Sequence, residues 1–192
     1  MHPAFFYRPG DRLSLPELNS ARLDGLVIEV GEGFMPVDTV EAAEARAMSI
    51  AELVPAHMAA CGPTAAWIHG AGDRPPGIHH VRRTKPTRMR ASVSQRVVYH
   101  ERRAVADDVQ VIGGVSVTTV SATALELLFA AALAEVDDPW LRALLLVRPA
   151  LIGELSDELD RAVRRPGLRR ARRIVAAFVE EAGAAAGDLR TS

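Results

Sequence analysis

The sequence predicts an α+β protein. Residues 1–40 form a small helix-and-ribbon unit, 41–150 a mixed α/β domain with an antiparallel-rich sheet, and 151–192 a C-terminal helical segment. Three observations predict this. Strand-like runs cluster between Ile78 and Thr118, and the last two flank Gly113-Gly114, a two-residue hairpin signal. Helical periodicity takes over from Ser121 and continues, punctuated by proline and glycine, to about Ala182. With 192 residues and 48% hydrophobic content, the chain can bury a core without disulfides or a structural metal.

Taken in order, Ser14 is an N-cap with Glu17 three residues on, and Pro16 lies in the first turn of a helix that stops at Asp24-Gly25. Leu26–Val30 and Phe34–Val37 flank Gly31-Glu32-Gly33 and read as a β-hairpin. One helix followed by a ribbon is the minimum of a winged helix, and a short one. Residues 38–60 read as helical, with Pro55 in the first turn of a second segment, Ala56–Ala60. Gly62-Pro63 breaks the chain, and Thr64 caps a helix over Ala65–Gly70. Four strands follow: Ile78–Arg82, Val97–Glu101, Val109–Ile112 and Val115–Thr118. Helices are then expected from Ser121 to about Val136, from Trp140 to Val147, from Pro149 to Arg164, and from Leu168 to about Ala182.

Composition excludes several chemistries. Lys85 is the only lysine among 23 basic residues, and it sits in Thr-Lys-Pro, so no Walker A loop is present. Cys61 is the only cysteine, which removes intrachain disulfides and multi-cysteine zinc sites. The N-terminus lacks a basic region followed by an apolar stretch, and no apolar run is long enough for a bilayer. The expected setting is the cytoplasm.

The formal net charge of −1 hides a segregated distribution. Residues 82–103 hold eight basic side chains against the single acid Glu101, and residues 161–173 hold seven arginines and no acid. The rest of the chain is therefore strongly acidic, an asymmetry that marks an anionic partner. On the last helix, Leu168, Ala171, Val175 and Phe178 make an apolar stripe, and the arginines fall opposite, where any solvated residue would stand. A solvated face normally mixes signs, and arginines near a helix start oppose the helix dipole, a conflict that a bound anion relieves. The first cluster reads as a basic loop that follows a phosphate backbone without reading bases. Tyr99 is the only aromatic nearby, which argues against stacking of single strands.

Catalytic patterns are mostly missing. There is no G-x-S-x-G, H-E-x-x-H or G-x-G-x-x-G. An enzyme would need His57, Cys61, His69, His79 and His80 to converge in a cleft, and their spacing matches no standard metal site. Asp107-Asp108 and Asp137-Asp138 fall in turns, where aspartate serves local hydrogen bonding. No catalytic residue, metal or cofactor is assigned.

Three stretches in order carry a family resemblance: Pro16–Gly25, Thr64–Gly70, and Gly113–Thr119 leading into an Ala/Leu-rich helix. Over roughly residues 12–180 the chain resembles the actinobacterial proteins related to the AbiEi antitoxins of type IV toxin–antitoxin systems. The resemblance implies an N-terminal winged helix, a mixed α/β domain, DNA binding and autoregulation of a toxin–antitoxin operon. Some relatives continue into a nuclease domain similar to very-short-patch-repair endonucleases; with Lys85 far upstream, no such core is expected here. One departure is that residues 1–40 hold three arginines against six acids, whereas a DNA-reading module should be basic. Another is Ser121-Ala122-Thr123, where relatives usually have an arginine before the threonine, with Glu126 where an aspartate is common.

The leading expectation is a non-catalytic antitoxin or transcriptional regulator that binds duplex DNA, its own operator, mainly through phosphates. Arg82, Arg83, Arg88 and Arg90 would be loop contacts, and Arg169, Arg170, Arg172 and Arg173 helix contacts. The alternative is a protein-interaction module, neutralising a cognate toxin or self-associating, without DNA binding.

Overall fold

The computed structural model describes residues 6–85 and 95–188, with side chains to residue 184. The first helix, α1 (Leu15–Leu23), begins as its sequence dictates. Ser14 and Glu17 close a reciprocal capping box, with Glu17 accepting from the Ser14 backbone N–H and hydroxyl at 2.7 Å each. Strands β1 (Val27–Val30) and β2 (Gly33–Pro36) then pair antiparallel, Val27 opposite Pro36. Leu18, Val27 and Phe34 make a small core under this unit, with Tyr7 bridging to Phe34. Among the described residues one helix precedes the ribbon, so the unit holds less than a full winged helix.

Helix α2 (Ala43–Ser49) and a short 3-10 turn (Ala51–Leu53) lead to strand β3 (Met58–Ala60). The helix expected over Ala56–Ala60 is therefore corrected to a strand. All three of its residues are buried, and it pairs antiparallel with β4 (His79–Arg83) on one side and parallel with β7 (Val115–Thr118) on the other. A three-residue apolar run carries no periodicity, and its ladder partners lie far along the chain. Helix α3 (Gly62–Ile68) starts on Gly62-Pro63, the pair expected to break the chain. Proline suits that first turn, where its missing N–H costs nothing. Thr64 is not the cap. Its hydroxyl accepts instead from the His80 backbone N–H at 2.8 Å.

With β5 (Val97–His100) and β6 (Val109–Ile112), the main sheet runs β5-β4-β3-β7-β6. It is mixed: β3–β4 and β6–β7 are antiparallel, β3–β7 and β4–β5 parallel. Gly113 and Gly114 turn the β6–β7 hairpin with φ of +56° and +81°, the left-handed pair of a tight turn. One face of the sheet packs with α2, α3 and the ribbon around Trp67, Val81 and Val117, all fully buried.

A second core joins α4 (Val120–Ala134), α5 (Pro139–Val147), α6 (Ala150–Arg161) and α7 (Leu168–Asp188) around Leu128, Leu144, Leu155 and Ala171. It spans both sides of residue 150. Helix α3 belongs to both cores, with Trp67 and Ile68 in the first and Ala66 in the second. Buried Arg46 locks α2 to this centre: it donates to the Trp67 and Gly72 carbonyls at 2.7 and 2.9 Å, pairs with Glu41, and lies over the Trp67 ring. The Trp67 carbonyl also accepts from the Gly70 backbone N–H at 3.0 Å, so Arg46 ties onto the exit turn of α3. No helix among the described residues is long and apolar enough to cross a membrane.

Candidate nucleic-acid interface and adjoining cleft

The arginines of the two basic segments divide into those holding the fold and those left to solvent. Arg82 closes the strand expected over Ile78–Arg82, and Arg83 extends it, so both lie on strand β4 rather than serving as loop contacts. Arg82 is mostly buried and ion-pairs with Glu126 of α4; Arg83 donates to the Glu101 carbonyl at 2.9 Å. Arg88 and Arg90 lie outside the described residues. On α7, Arg172 donates to the Leu159 carbonyl at the end of α6, at 2.8 Å, and Arg170 pairs with Glu135 at 3.3 Å. Arg169 and Arg173 are exposed and, like Arg102, Arg103 and Arg164, carry no side-chain hydrogen bond or ion pair among the described residues.

The α7 amphipathy explains this division. Ala171 and Val175 are buried in the helical core, which places Arg169 and Arg173 outward, four residues apart and about 6 Å from each other. The chain enters α7 through Arg164, with φ of +50°, then Arg165-Pro166-Gly167. Arg164, Arg165, Arg169, Arg170 and Arg173 line one groove of about 1080 Å³ beside the end of α4.

A second cavity, of about 500 Å³, adjoins it. Its walls include Arg102 and Arg103 from the β5–β6 connection, Arg165 from the α6–α7 connection, and Arg82, His100 and Glu126 at the base. Arg165 lines both spaces. The two basic segments, far apart in sequence, thus meet at one side chain. Arg165 lies over the Phe129 ring, 3.4 Å from its centroid, and burial together with the charge of Arg102 pulls it below the ordinary arginine value. Sequence reasoning counted Arg102, Arg103, Arg164 and Arg165 within the clusters but did not assign them as contacts. Glu126 was singled out only as standing where relatives commonly have an aspartate.

Beneath the cleft lies a polar layer between sheet and helix. Alternation along β4 puts His80 and Arg82 on the α4 side of the sheet and leaves Val81 in the core. One of His80 Nδ1 and His100 Nε2 donates to the other at 2.9 Å, and the rings stack. Burial lowers both imidazoles, with the His100 charge adding at His80 and the Arg82 charge at His100. Glu126 stands near the start of α3 at Gly62, and burial raises it above the usual carboxylate value despite the Arg82 charge. Cys61 is pushed up to about 12, by burial first and then by Glu126, so it remains a thiol.

The histidines expected as an enzymatic group are spread over separate tasks. His69 Nε2 donates to the Thr118 carbonyl at 2.7 Å, tying α3 to β7, and His79 faces the Thr64 hydroxyl. His57 Nε2 is buried without a hydrogen-bond partner among the described residues, and His80 is engaged with His100. Among the described residues no three His, Cys, Asp or Glu side chains are placed to hold a metal ion.

These features define an α+β protein in which a mixed sheet and a helical bundle bring two arginine segments onto one surface. A family model for the AbiEi antitoxin C-terminal domain matches residues 58–174, from β3 through the first turns of α7. The chain belongs to this antitoxin family, and its role is that of the antitoxin in a toxin–antitoxin pair. No curated protein matches it.

Proposed function

We propose that the protein is a non-catalytic antitoxin that also binds duplex DNA, and so regulates transcription of its own operon. The convergence at Arg165 supports this reading most: Arg102 and Arg103 on one side and Arg164, Arg169 and Arg173 on the other make one basic surface. None of those five outer arginines is neutralised within the described residues. Such a surface gains affinity by releasing counterions from a phosphate backbone and carries little sequence information. Arg82, Arg170 and Arg172 support the surface from behind through their own pairings. The reduced winged-helix-like unit at residues 1–40 orients the protein on the duplex.

A second reading is favoured by one observation. Residues 1–40 carry more acids than bases, yet expose Leu23, Leu26, Val37 and Val40, with Leu26 and Val37 joined by a backbone hydrogen bond. An apolar patch with an acidic surround suits a protein partner. In this reading the unit contacts the cognate toxin. Binding to a duplex carrying the operon's own upstream region tests the DNA role, and co-purification with the toxin, lost in Leu26→Glu/Val37→Glu, tests the other.

A further inference from the structure

The cleft joining the two arginine segments has properties that contact with a duplex does not require. It is concave, about 500 Å³, within the usual range for small-molecule sites, and too small to admit a double helix. Its lining is chemically mixed. Arg102, Arg103 and Arg165 supply positive charge, and Val105, Leu125 and Leu133 supply apolar surface.

The cleft's lining sets Arg82, Arg102, Arg103 and Arg165 against Glu101, Asp108 and Glu126. Glu126 is paired with Arg82, and among the described residues no carboxylate stands within ion-pair distance of Arg102, Arg103 or Arg165. Three guanidinium groups without an ion pair among the described residues thus border one cavity, and a phosphate is an anion their forked donors match. Arg165 lies against Phe129 and lines the cleft, and a guanidinium plane is a stacking platform for a flat ring.

We infer that this cleft binds a nucleoside phosphate: phosphates on Arg102 and Arg103, and the base against Arg165 and the apolar lining. The inference goes beyond duplex binding and does not depend on it. A small-molecule effector seated here would lie against Arg165, which also lines the DNA groove, and would give the antitoxin a nucleotide-responsive surface.

Calorimetric titration of the full chain with ATP, AMP, adenosine and inorganic phosphate tests it. ATP is expected to bind once per chain, with adenosine and inorganic phosphate at least about tenfold weaker. Arg102→Ala/Arg103→Ala removes two exposed side chains without partners and is expected to weaken ATP at least about tenfold; Arg165→Ala does the same through the base. Arg169→Ala/Arg173→Ala, in the neighbouring groove, leaves ATP affinity unchanged and weakens a duplex probe, so the two readings fail separately. No saturable ATP binding at millimolar concentration overturns the inference. Inorganic phosphate binding as tightly as ATP, or ATP affinity indifferent to both cleft variants, overturns it equally.

Discussion

Arg82 on β4 and Glu126 on α4 form an ion pair across the boundary between sheet and helical bundle, joining residues 44 apart in sequence. Their side chains are 15% and 20% exposed, so neither charge has much water to fall back on. Glu126→Ala strands the guanidinium and is expected to cost about 3 kcal/mol in urea unfolding. Arg82→Met/Glu126→Leu replaces both charges with apolar groups and should recover most of that loss. Equal destabilisation by the single and double variants would contradict the account.

The histidines set an acid limit on stability. Burial is the leading cause that lowers His69, His79, His80 and His100, so the folded protein favours neutral rings. The unfolded chain binds protons near pH 6.5, the folded one only lower. Their contribution is therefore complete above about pH 6.5 and is lost as pH falls through the depressed folded values. Glu126, raised by burial, has the opposite sign and offsets part of the loss on protonation. The thermal midpoint should fall between about pH 7 and pH 5, and His80→Gln/His100→Gln should flatten that slope.

Much of this fold was legible wherever the decisive contacts were local. The Ser14–Glu17 capping box and the two glycine-turned hairpins depend on residues within one turn of each other. Strand β3 was not legible, because Met58-Ala59-Ala60 becomes a strand only through ladders to β4 and β7. The candidate site divides in the same way. Charge counting found both arginine segments, but their meeting at Arg165 depends on α4 packing between the sheet and α7. Arg82 looked like a free cation because its partner, Glu126, lies on that same intervening helix.

Asp138 caps α5, accepting from the Trp140 and Leu141 backbone N–H groups at 2.8 and 3.0 Å. Asp138→Ala should cost about 1 kcal/mol in chemical unfolding, and Asp138→Asn, which keeps the accepting oxygen, only a fraction of that. Equal losses in both would point to charge rather than capping.

Gly113 and Gly114 both hold positive φ but differ in surroundings. A Cβ on Gly113 would stand 2.6 Å from the Glu44 carbonyl of α2, whereas one on Gly114 meets nothing within 4 Å. Gly114→Ala should cost about 1 kcal/mol of backbone strain. Gly113→Ala should cost distinctly more, because α2 must move off the hairpin. Similar unfolding midpoints for the two would contradict that packing.

The proposed DNA role rests on the arginine surface around Arg165, and salt-dependent duplex binding tests it most directly. With six or more phosphates neutralised, affinity for a duplex from the operon's upstream region should fall roughly 10³-fold between about 50 and 200 mM salt. Arg169→Ala/Arg173→Ala should reduce the slope of log affinity against log salt by about two. A flat salt response, or no binding at the low-salt end, would contradict the account.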